Sequence, residues 1–210
     1  MGASRQSSLL DLAGEPHLGL LGETVGRVHL AHRAWVDARP GWLQGSDAVF
    51  DELARRVPWQ AERRRMYDSV VDVPRLTRFY SAGERLPLPI LDEARERLGA
   101  HYGAELGEPF TTAGMCLYRD GRDSVAWHGD RIGRGATADT MVAILSLGAA
   151  RVLALRPRGG GATAYRIALG HGDLLVMGGS CQRTWEHAIP KTAKRVGPRI
   201  SVQFRPAGVR

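Results

Sequence analysis

The stretch RISVQFR, Arg199 to Arg205, has the strict alternation of a β-strand with two unlike faces. Ile200, Val202 and Phe204 fall on one face, which the pattern predicts to be packed. The opposite face carries the polar residues Arg199, Ser201, Gln203 and Arg205. If this face points outward, the strand is a half-exposed edge strand; if it points inward, two buried guanidinium groups need anionic partners. A guanidinium binds a carboxylate through two parallel hydrogen bonds, so the inward alternative indicates a site for a dicarboxylate.

Strand-like runs of similar length precede this stretch from Thr111 onward. They are separated by Gly-rich turns and cover residues 114–118, 140–147, 151–156, 164–169 and 173–177. Several short strands at this spacing predict a β-sandwich or jelly roll.

The first half of the chain has a different pattern. Apolar residues at helical spacing predict one helix over Asp47–Val57, which Pro58 ends, and a second over Leu88–Tyr102. The segment between them, Trp59 to Gly83, is rich in arginine and aromatic residues and matches neither a clean helix nor a clean strand. The fold class we predict is therefore mainly β with N-terminal helices.

Composition limits the possible functions. The 210 residues carry a net charge of +7, which favours a polyanionic partner, with nucleic acid first. No apolar run reaches the roughly 18 residues of a membrane span, so no membrane partner is expected. Two cysteines, Cys116 and Cys181, are too few for a disulfide framework, and no secretory signal is visible. These features predict a cytoplasmic protein.

Two His-x-Asp triplets are candidate metal ligands. They are His128-Gly129-Asp130 and His171-Gly172-Asp173, and His187 follows both. On a strand, positions i and i+2 share a face, so both side chains of a triplet can reach one ion. Several strands can pass between Asp130 and His187, but about one between Asp173 and His187. We therefore take the second triplet as structural and His128, Asp130 and His187 as the candidate facial triad for iron(II); from these residues alone, three unrelated surface or turn residues stay the alternative.

In order along the chain, His128-x-Asp130, His187 and Arg199-x5-Arg205 resemble the signature of the AlkB family of iron(II)- and 2-oxoglutarate-dependent dioxygenases. Leu117-Tyr118-Arg119-Asp120-Gly121 ahead of the first motif agrees, and the resemblance covers most of Trp59 to Arg205. It implies a double-stranded β-helix (a jelly roll) with a nucleotide-recognition lid. The organisation expected is an N-terminal extension and helix over 1–58, a lid and supporting helix over 59–110, and a catalytic core over 111–210, all in one structural domain.

The resemblance also implies roles for individual residues. His128, Asp130 and His187 would ligate Fe(II), and Arg199 would bind the distal carboxylate of 2-oxoglutarate. Arg205 would lie near the metal-chelating end, as a catalytic and cosubstrate-binding residue. The other residues at the cosubstrate are Tyr118, which matches a family tyrosine that hydrogen-bonds it, and Cys116 and Ser201, which stand where relatives carry Asn. A thiol donates a weaker hydrogen bond than an amide, so cosubstrate affinity is expected to be lower.

The lid is where the resemblance places the nucleic acid. An enzyme that acts on a base must extrude it from the stack, which requires cations for phosphates and aromatic faces for the base. Tyr80 matches an aromatic that stacks on the flipped base. The other expected contacts are Tyr67, Trp59, Arg63, Arg64 and Arg65.

The implied reaction is oxidative demethylation of bases such as 1-methyladenine and 3-methylcytosine, which consumes O2 and releases formaldehyde, succinate and CO2. The expected substrate is alkylated DNA, in DNA repair, or RNA, and the protein is expected to be a monomer. Two alternatives stay open at this point. One is a hydroxylase of the same fold that acts on a small molecule or a protein side chain, and the other is a non-catalytic nucleic-acid-binding jelly roll.

Overall fold

The computed structural model describes residues 14–66, 69–130 and 133–209, with the backbone alone at 63–66 and 69–72. In this part of the chain the main elements are strands. In chain order they are β1 (His17–Leu18), β2 (Gly26–His29), β3 (Ala34–Arg39), β4 (Leu43–Gln44), β5 (Gln60–Met66), β6 (Ser69–Tyr80), β7 (Thr112–Tyr118), β8 (Val125–His128), β9 (Val142–Gly148), β10 (Arg151–Pro157), β11 (Tyr165–Leu169), β12 (Asp173–Gly179), β13 (Trp185–Ile189) and β14 (Arg199–Arg205).

Twelve of these strands form one large and one small antiparallel sheet, and β1 and β4 pair separately with each other. The large sheet has the order β2-β3-β12-β9-β14-β7-β6-β5, and the small sheet has the order β11-β10-β13-β8. Apolar residues of both sheets, among them Ile144, Leu153 and Leu175, form one buried cluster between them. Two packed antiparallel sheets of this kind form a jelly-roll arrangement. The mainly β fold class predicted from the sequence is confirmed.

The β14 strand lies in the middle of the large sheet, between β9 and β7. Ile200, Val202 and Phe204 are fully buried on the face that meets the helices. The opposite face is also buried, because it points between the two sheets. Its residues Arg199, Ser201 and Gln203 are at most 8% exposed. Of the two alternatives for this strand, the inward one is therefore correct.

Three helices accompany the sheets in the described residues: α1 (Ser46–Arg56), α2 (Pro89–Leu106) and α3 (Cys181–Thr184). The first two confirm the predicted helices, with α2 continuing one turn further before Gly107 ends it in a left-handed conformation. Both bury their apolar stripe against the outer face of the large sheet. No helix in this part of the chain is long and apolar enough to cross a bilayer.

The segment 59–83, which matched neither a clean helix nor a clean strand in the sequence, contains a long antiparallel hairpin of β5 and β6. The β6 strand pairs with β7, so the hairpin extends the large sheet at its edge. The hairpin escaped prediction because a hairpin with polar residues on both faces lacks the apolar alternation that marks a half-buried strand.

Candidate active site

Two strands of the small sheet bring two histidines together. The β8 strand ends at His128, and His187 on β13 is its direct register partner. The centroids of the two imidazole rings lie 4.2 Å apart. Neither of these two strands was among those predicted from the sequence.

Asp130 lies close to the two histidines because the backbone at Gly129 packs closely against the backbone of Gln182. A Cβ atom on Gly129 would collide with the carbonyl oxygen of Gln182, so this position requires glycine. The amide of Asp130 donates a hydrogen bond to the Gln182 side chain, with a distance of 3.0 Å. The carboxylate then lies 3.7 Å from Nε2 of His128.

One ligand atom from each of His128, Asp130 and His187 lies within 4.8 Å of the others, which is close enough to share one metal ion. His128 Nδ1 lies 2.8 Å from the carbonyl oxygen of Ala126. An Nδ1–H that donates there leaves the Nε2 lone pair for a metal. Two imidazoles and one carboxylate are a donor set that suits iron(II) and leaves coordination positions open.

The protonation states also suit a metal. Burial alone would raise the pKa of Asp130, but the charges of Arg205, His187 and His128 lower it to about 2. Arg205 Nε lies 2.6 Å from the Asp130 carboxylate. Burial lowers the pKa of His187 to about 3. At neutral pH the site therefore offers an ionised carboxylate and a neutral imidazole, which are the forms that bind metals.

A cavity beside this cluster contains a buried cation. Arg199 is 1% exposed, and its Nε donates to the hydroxyl of Ser146 at 3.0 Å. Burial lowers its pKa. Its Nη1 is also buried and has no hydrogen-bond partner within the described ranges. A buried guanidinium with an unsatisfied donor fits an anionic ligand such as a carboxylate.

Three other residues predicted at the cosubstrate line the same cavity: Tyr118, Cys116 and Ser201. Burial raises the pKa of Tyr118 to about 12, although nearby guanidinium groups act in the opposite direction. Its phenol therefore stays protonated and able to donate. The Cys116 sulfur lies 3.9 Å from the side-chain oxygen of Gln203, a weak contact.

A second, larger cavity of about 540 Å³ also borders the metal-ligand cluster. We call it the outer cavity. The hairpin supplies part of its lining, through Glu62, Arg75, Thr77, Arg78 and Phe79, and the candidate metal ligands His128 and Asp130 also line it. The two cavities share Arg75, Cys116, His128, Gln203 and Arg205.

The residues predicted to contact the substrate do not line the outer cavity where their side chains are described. Tyr80, expected to stack on the base, is 6% exposed and packs in the core with the helices, as alternation along β6 turns it away from Phe79. Trp59 is half-buried against the same core. Tyr67 and the side chains of Arg63, Arg64 and Arg65 lie outside the described residues.

Arg75, Thr77 and Phe79 were missed as site residues. Their spacing of two on one strand would have placed them on one face, if the segment had been recognised as a strand.

The second triplet has a structural role, as predicted. His171 Nδ1 accepts a hydrogen bond from the amide of Gly148 at 2.7 Å. The two carboxylate oxygens of Asp173 accept hydrogen bonds from the amides of Gly41 and Gly170, at 2.8 and 2.7 Å. These hydrogen bonds stabilise the backbone at Gly41, Gly148 and Gly170 beside the start of β12.

Two histidines, an aspartate and a buried arginine between the sheets of a jelly roll define a non-haem iron oxygenase site with a pocket for a carboxylate cosubstrate. The family model described as the 2OG-Fe(II) oxygenase superfamily matches residues 49–205. Alpha-ketoglutarate-dependent dioxygenase alkB homolog 3 of Mus musculus is 30% identical, with 97% of this chain and 74% of that protein covered. The chain belongs to the AlkB family of 2OG-Fe(II) oxygenases. Membership implies Fe(II) and 2-oxoglutarate, and the triad and Arg199 fit these two groups.

Other comparisons agree. The alkB homolog 3 of Bos taurus is 33% identical over 79% of this chain, and DNA oxidative demethylase ALKBH2 of Arabidopsis thaliana is 30% identical over 78%. The chain spans 64% and 62% of the length of these two relatives. A crystal structure of an oxidoreductase of the 2OG-Fe(II) oxygenase family from Burkholderia pseudomallei aligns with a TM-score of 0.51 and 17% identity, covering 81% of this chain and 84% of that one. This likeness shows the fold.

Proposed function

We propose that this chain removes methyl groups from alkylated nucleic-acid bases of the 1-methyladenine and 3-methylcytosine type, with release of formaldehyde, succinate and CO2. One observation carries the proposal. Two adjoining cavities border the metal-ligand cluster: one contains the buried Arg199, and the larger one can admit a base. The names of the relatives support it, since one is a DNA oxidative demethylase and the others are α-ketoglutarate-dependent dioxygenases.

In this proposal His128, Asp130 and His187 hold Fe(II), which together with 2-oxoglutarate and O2 supplies the oxidising power for hydroxylation of the methyl group. Arg199 binds the distal carboxylate of 2-oxoglutarate, because its unpartnered Nη1 is buried in that cavity. Tyr118 donates a hydrogen bond from its protonated phenol. Arg205 holds the Asp130 carboxylate in place beside the metal.

The hairpin of β5 and β6 is the proposed lid over the base. A flipped base needs an aromatic face, and half-buried Phe79 on the hairpin wall of the outer cavity offers one. Tyr67 is a proposed wall contact of the base, and Arg63, Arg64 and Arg65 are proposed contacts for the phosphates. Trp59 and Tyr80 support the lid from the core side. The net charge of +7 favours the same partner.

Three further parts of the proposal come from the sequence: a single structural domain divided at 58 and 110, a monomer, and a location in the cytoplasm. The preference between DNA and RNA is part of the test.

The test is turnover of a single-stranded oligonucleotide that carries one 1-methyladenine, with Fe(II) and 2-oxoglutarate under air. We expect formaldehyde and succinate in equal amounts, and no formaldehyde from the same oligonucleotide without the methyl group. Succinate without formaldehyde from any methylated DNA or RNA would favour a hydroxylase with another substrate. Neither succinate nor bound iron, with nucleic-acid binding retained, would indicate a non-catalytic binding protein.

A further inference from the structure

The cavity that contains the buried Arg199 has more cations on its lining than this one arginine. Its guanidinium groups are those of Arg75, Arg199 and Arg205. In the described part of the chain, no aspartate or glutamate lines this cavity. Arg205 pairs with Asp130, at 2.6 Å. Arg75 and Arg199 therefore face the cavity without a carboxylate on its lining, and their two positive charges match the two carboxylates of 2-oxoglutarate.

Arg75 reaches this cavity from the hairpin, because it lies on β6. The antiparallel register of β6 and β7, continued by one residue, puts Arg75 beside Tyr118. Tyr118 is in turn the direct partner of Arg199 on β14. The three residues therefore form one row across neighbouring strands, and all three line the same cavity between the two sheets.

Polar contacts hold the Arg75 side chain in this position. Its Nη1 donates to the carbonyl of Ser124 at 3.2 Å. Its guanidinium also interacts with Cys116 and Tyr118, and less strongly with Glu62, which lines the outer cavity. The Nε of Arg75 is buried and has no hydrogen-bond partner among the residues that the structure describes. Buried donors in proteins are normally satisfied, so this N–H fits a ligand that accepts a hydrogen bond.

From this geometry we infer that Arg75 is a second arginine for 2-oxoglutarate, which binds the cosubstrate from the hairpin while Arg199 binds it from the core. The inference rests on the 2-oxoglutarate site of the proposed function and adds a residue to it. A guanidinium has five N–H donors in one plane, so it can bind a carboxylate and the Ser124 carbonyl together.

The position of Arg75 has a consequence for the hairpin. Because β5 and β6 form the proposed lid, bound 2-oxoglutarate connects the lid to the core through Arg75. Binding of the cosubstrate then stabilises the hairpin that contacts the base. By linkage, cosubstrate and methylated base each raise the affinity of the protein for the other.

Calorimetric titration with 2-oxoglutarate, in the presence of Mn(II) and the absence of air, tests the inference without turnover. Arg75→Met should weaken 2-oxoglutarate binding about tenfold or more, the usual effect of losing a hydrogen bond to a charged group. Arg75→Lys keeps the charge without the planar fork, so it should recover part of the affinity. Arg85→Met, at an exposed arginine shortly after the hairpin, is the matched control and should bind 2-oxoglutarate like the parent protein.

A second measurement separates ligand binding from a structural effect of the substitution. Addition of 2-oxoglutarate should slow amide hydrogen exchange in β5 and β6 of the parent protein, and not in Arg75→Met. The affinity for Mn(II) without cosubstrate should be the same in both proteins, because Arg75 does not contact the metal ligands.

Three results would overturn the inference: parental affinity for 2-oxoglutarate in Arg75→Met, equal protection of the hairpin in both proteins, or an equal loss of Mn(II) and 2-oxoglutarate affinity. Binding of 2-oxoglutarate that depends on Arg75, with no formaldehyde from any methylated oligonucleotide, would instead reject the proposed function alone.

Discussion

The chain contains the sequence His-Gly-Asp twice, and the two copies have different roles. In His128-Gly129-Asp130 the two polar side chains converge with His187 on one point between the sheets. In His171-Gly172-Asp173 the same side chains accept hydrogen bonds from backbone amides of neighbouring turns. Three identical residues therefore form part of a candidate metal site in one place and a structural turn in the other.

The difference comes from the backbone and from the elements opposite. Gly172 has a φ of +81°, a left-handed turn conformation, whereas the triplet at Gly129 leaves the end of β8 without such a turn. The β13 strand faces the first triplet and supplies His187. Local sequence thus provides ligands, and the strand across from them decides whether a metal can use them.

Replacement of each aspartate by alanine is the strongest test of this difference. Asp130→Ala removes a metal ligand, so succinate formation should fall by about 100-fold or more, beyond the loss usual for residues that only support a ligand. Asp173→Ala should keep bound iron and the activity of the folded fraction. Iron content and succinate formation in the two purified variants are the measurements. Equal loss of iron in both would remove the distinction between the triplets.

The central glycines give the next largest effect. A Cβ at Gly129 collides with the Gln182 carbonyl and must displace Asp130, so Gly129→Ala should weaken Mn(II) binding about 10- to 100-fold. Gly172→Ala meets the carbonyl of Leu43 and a strained φ, which affects folding rather than metal binding. Titration with Mn(II), followed by calorimetry, separates the two variants. Unaltered Mn(II) affinity in Gly129→Ala would show that the close packing of Gly129 against Gln182 does not position Asp130.

Much of this arrangement was predictable from the sequence, and the exceptions have physical causes. Alternation along β14 identified two faces, but a strand's own residues do not say which face is inside; that depends on its pairing with β7 and β9. The triad was predicted from residue types and order, although the strands that carry His128 and His187 are too short to show a period. The hairpin residues that line the outer cavity were not predicted, because the hairpin lacks the apolar alternation of a half-buried strand.

A smaller effect is expected on stability at the second triplet. The Asp173 carboxylate accepts two amide hydrogen bonds, and such bonds to a charged group are strong. Asp173→Asn removes the charge and one acceptor, so the free energy of unfolding should fall by about 2 kcal/mol. Urea denaturation at pH 7 measures it, and Mn(II) affinity of the folded protein should stay at the parental value. A stability unchanged within error would mean that these two turns need no carboxylate.

The smallest effect is a pH dependence that comes from His187, the residue opposite the first triplet. Burial lowers the pKa of His187 to about 3 in the folded, metal-free protein, whereas an unfolded histidine titrates near its ordinary value of 6.5. Between these two values the unfolded chain binds one more proton than the folded chain at this residue. The free energy of unfolding should therefore decrease as pH falls below 6.5, by about 1.4 kcal/mol for each pH unit from this group.

His187→Asn should remove that part of the slope, whereas Asp173→Asn leaves His187 in place and should keep it. Urea denaturation of the three metal-free proteins between pH 6.5 and 5 measures the slopes, in a range where Asp130, with its pKa lowered to about 2, is ionised in both folded and unfolded states. A parental slope in His187→Asn would mean that the imidazole is not held in its neutral form by burial. The metal would then have to displace a proton from His187, and Mn(II) binding by the parent protein would weaken as pH falls through that range.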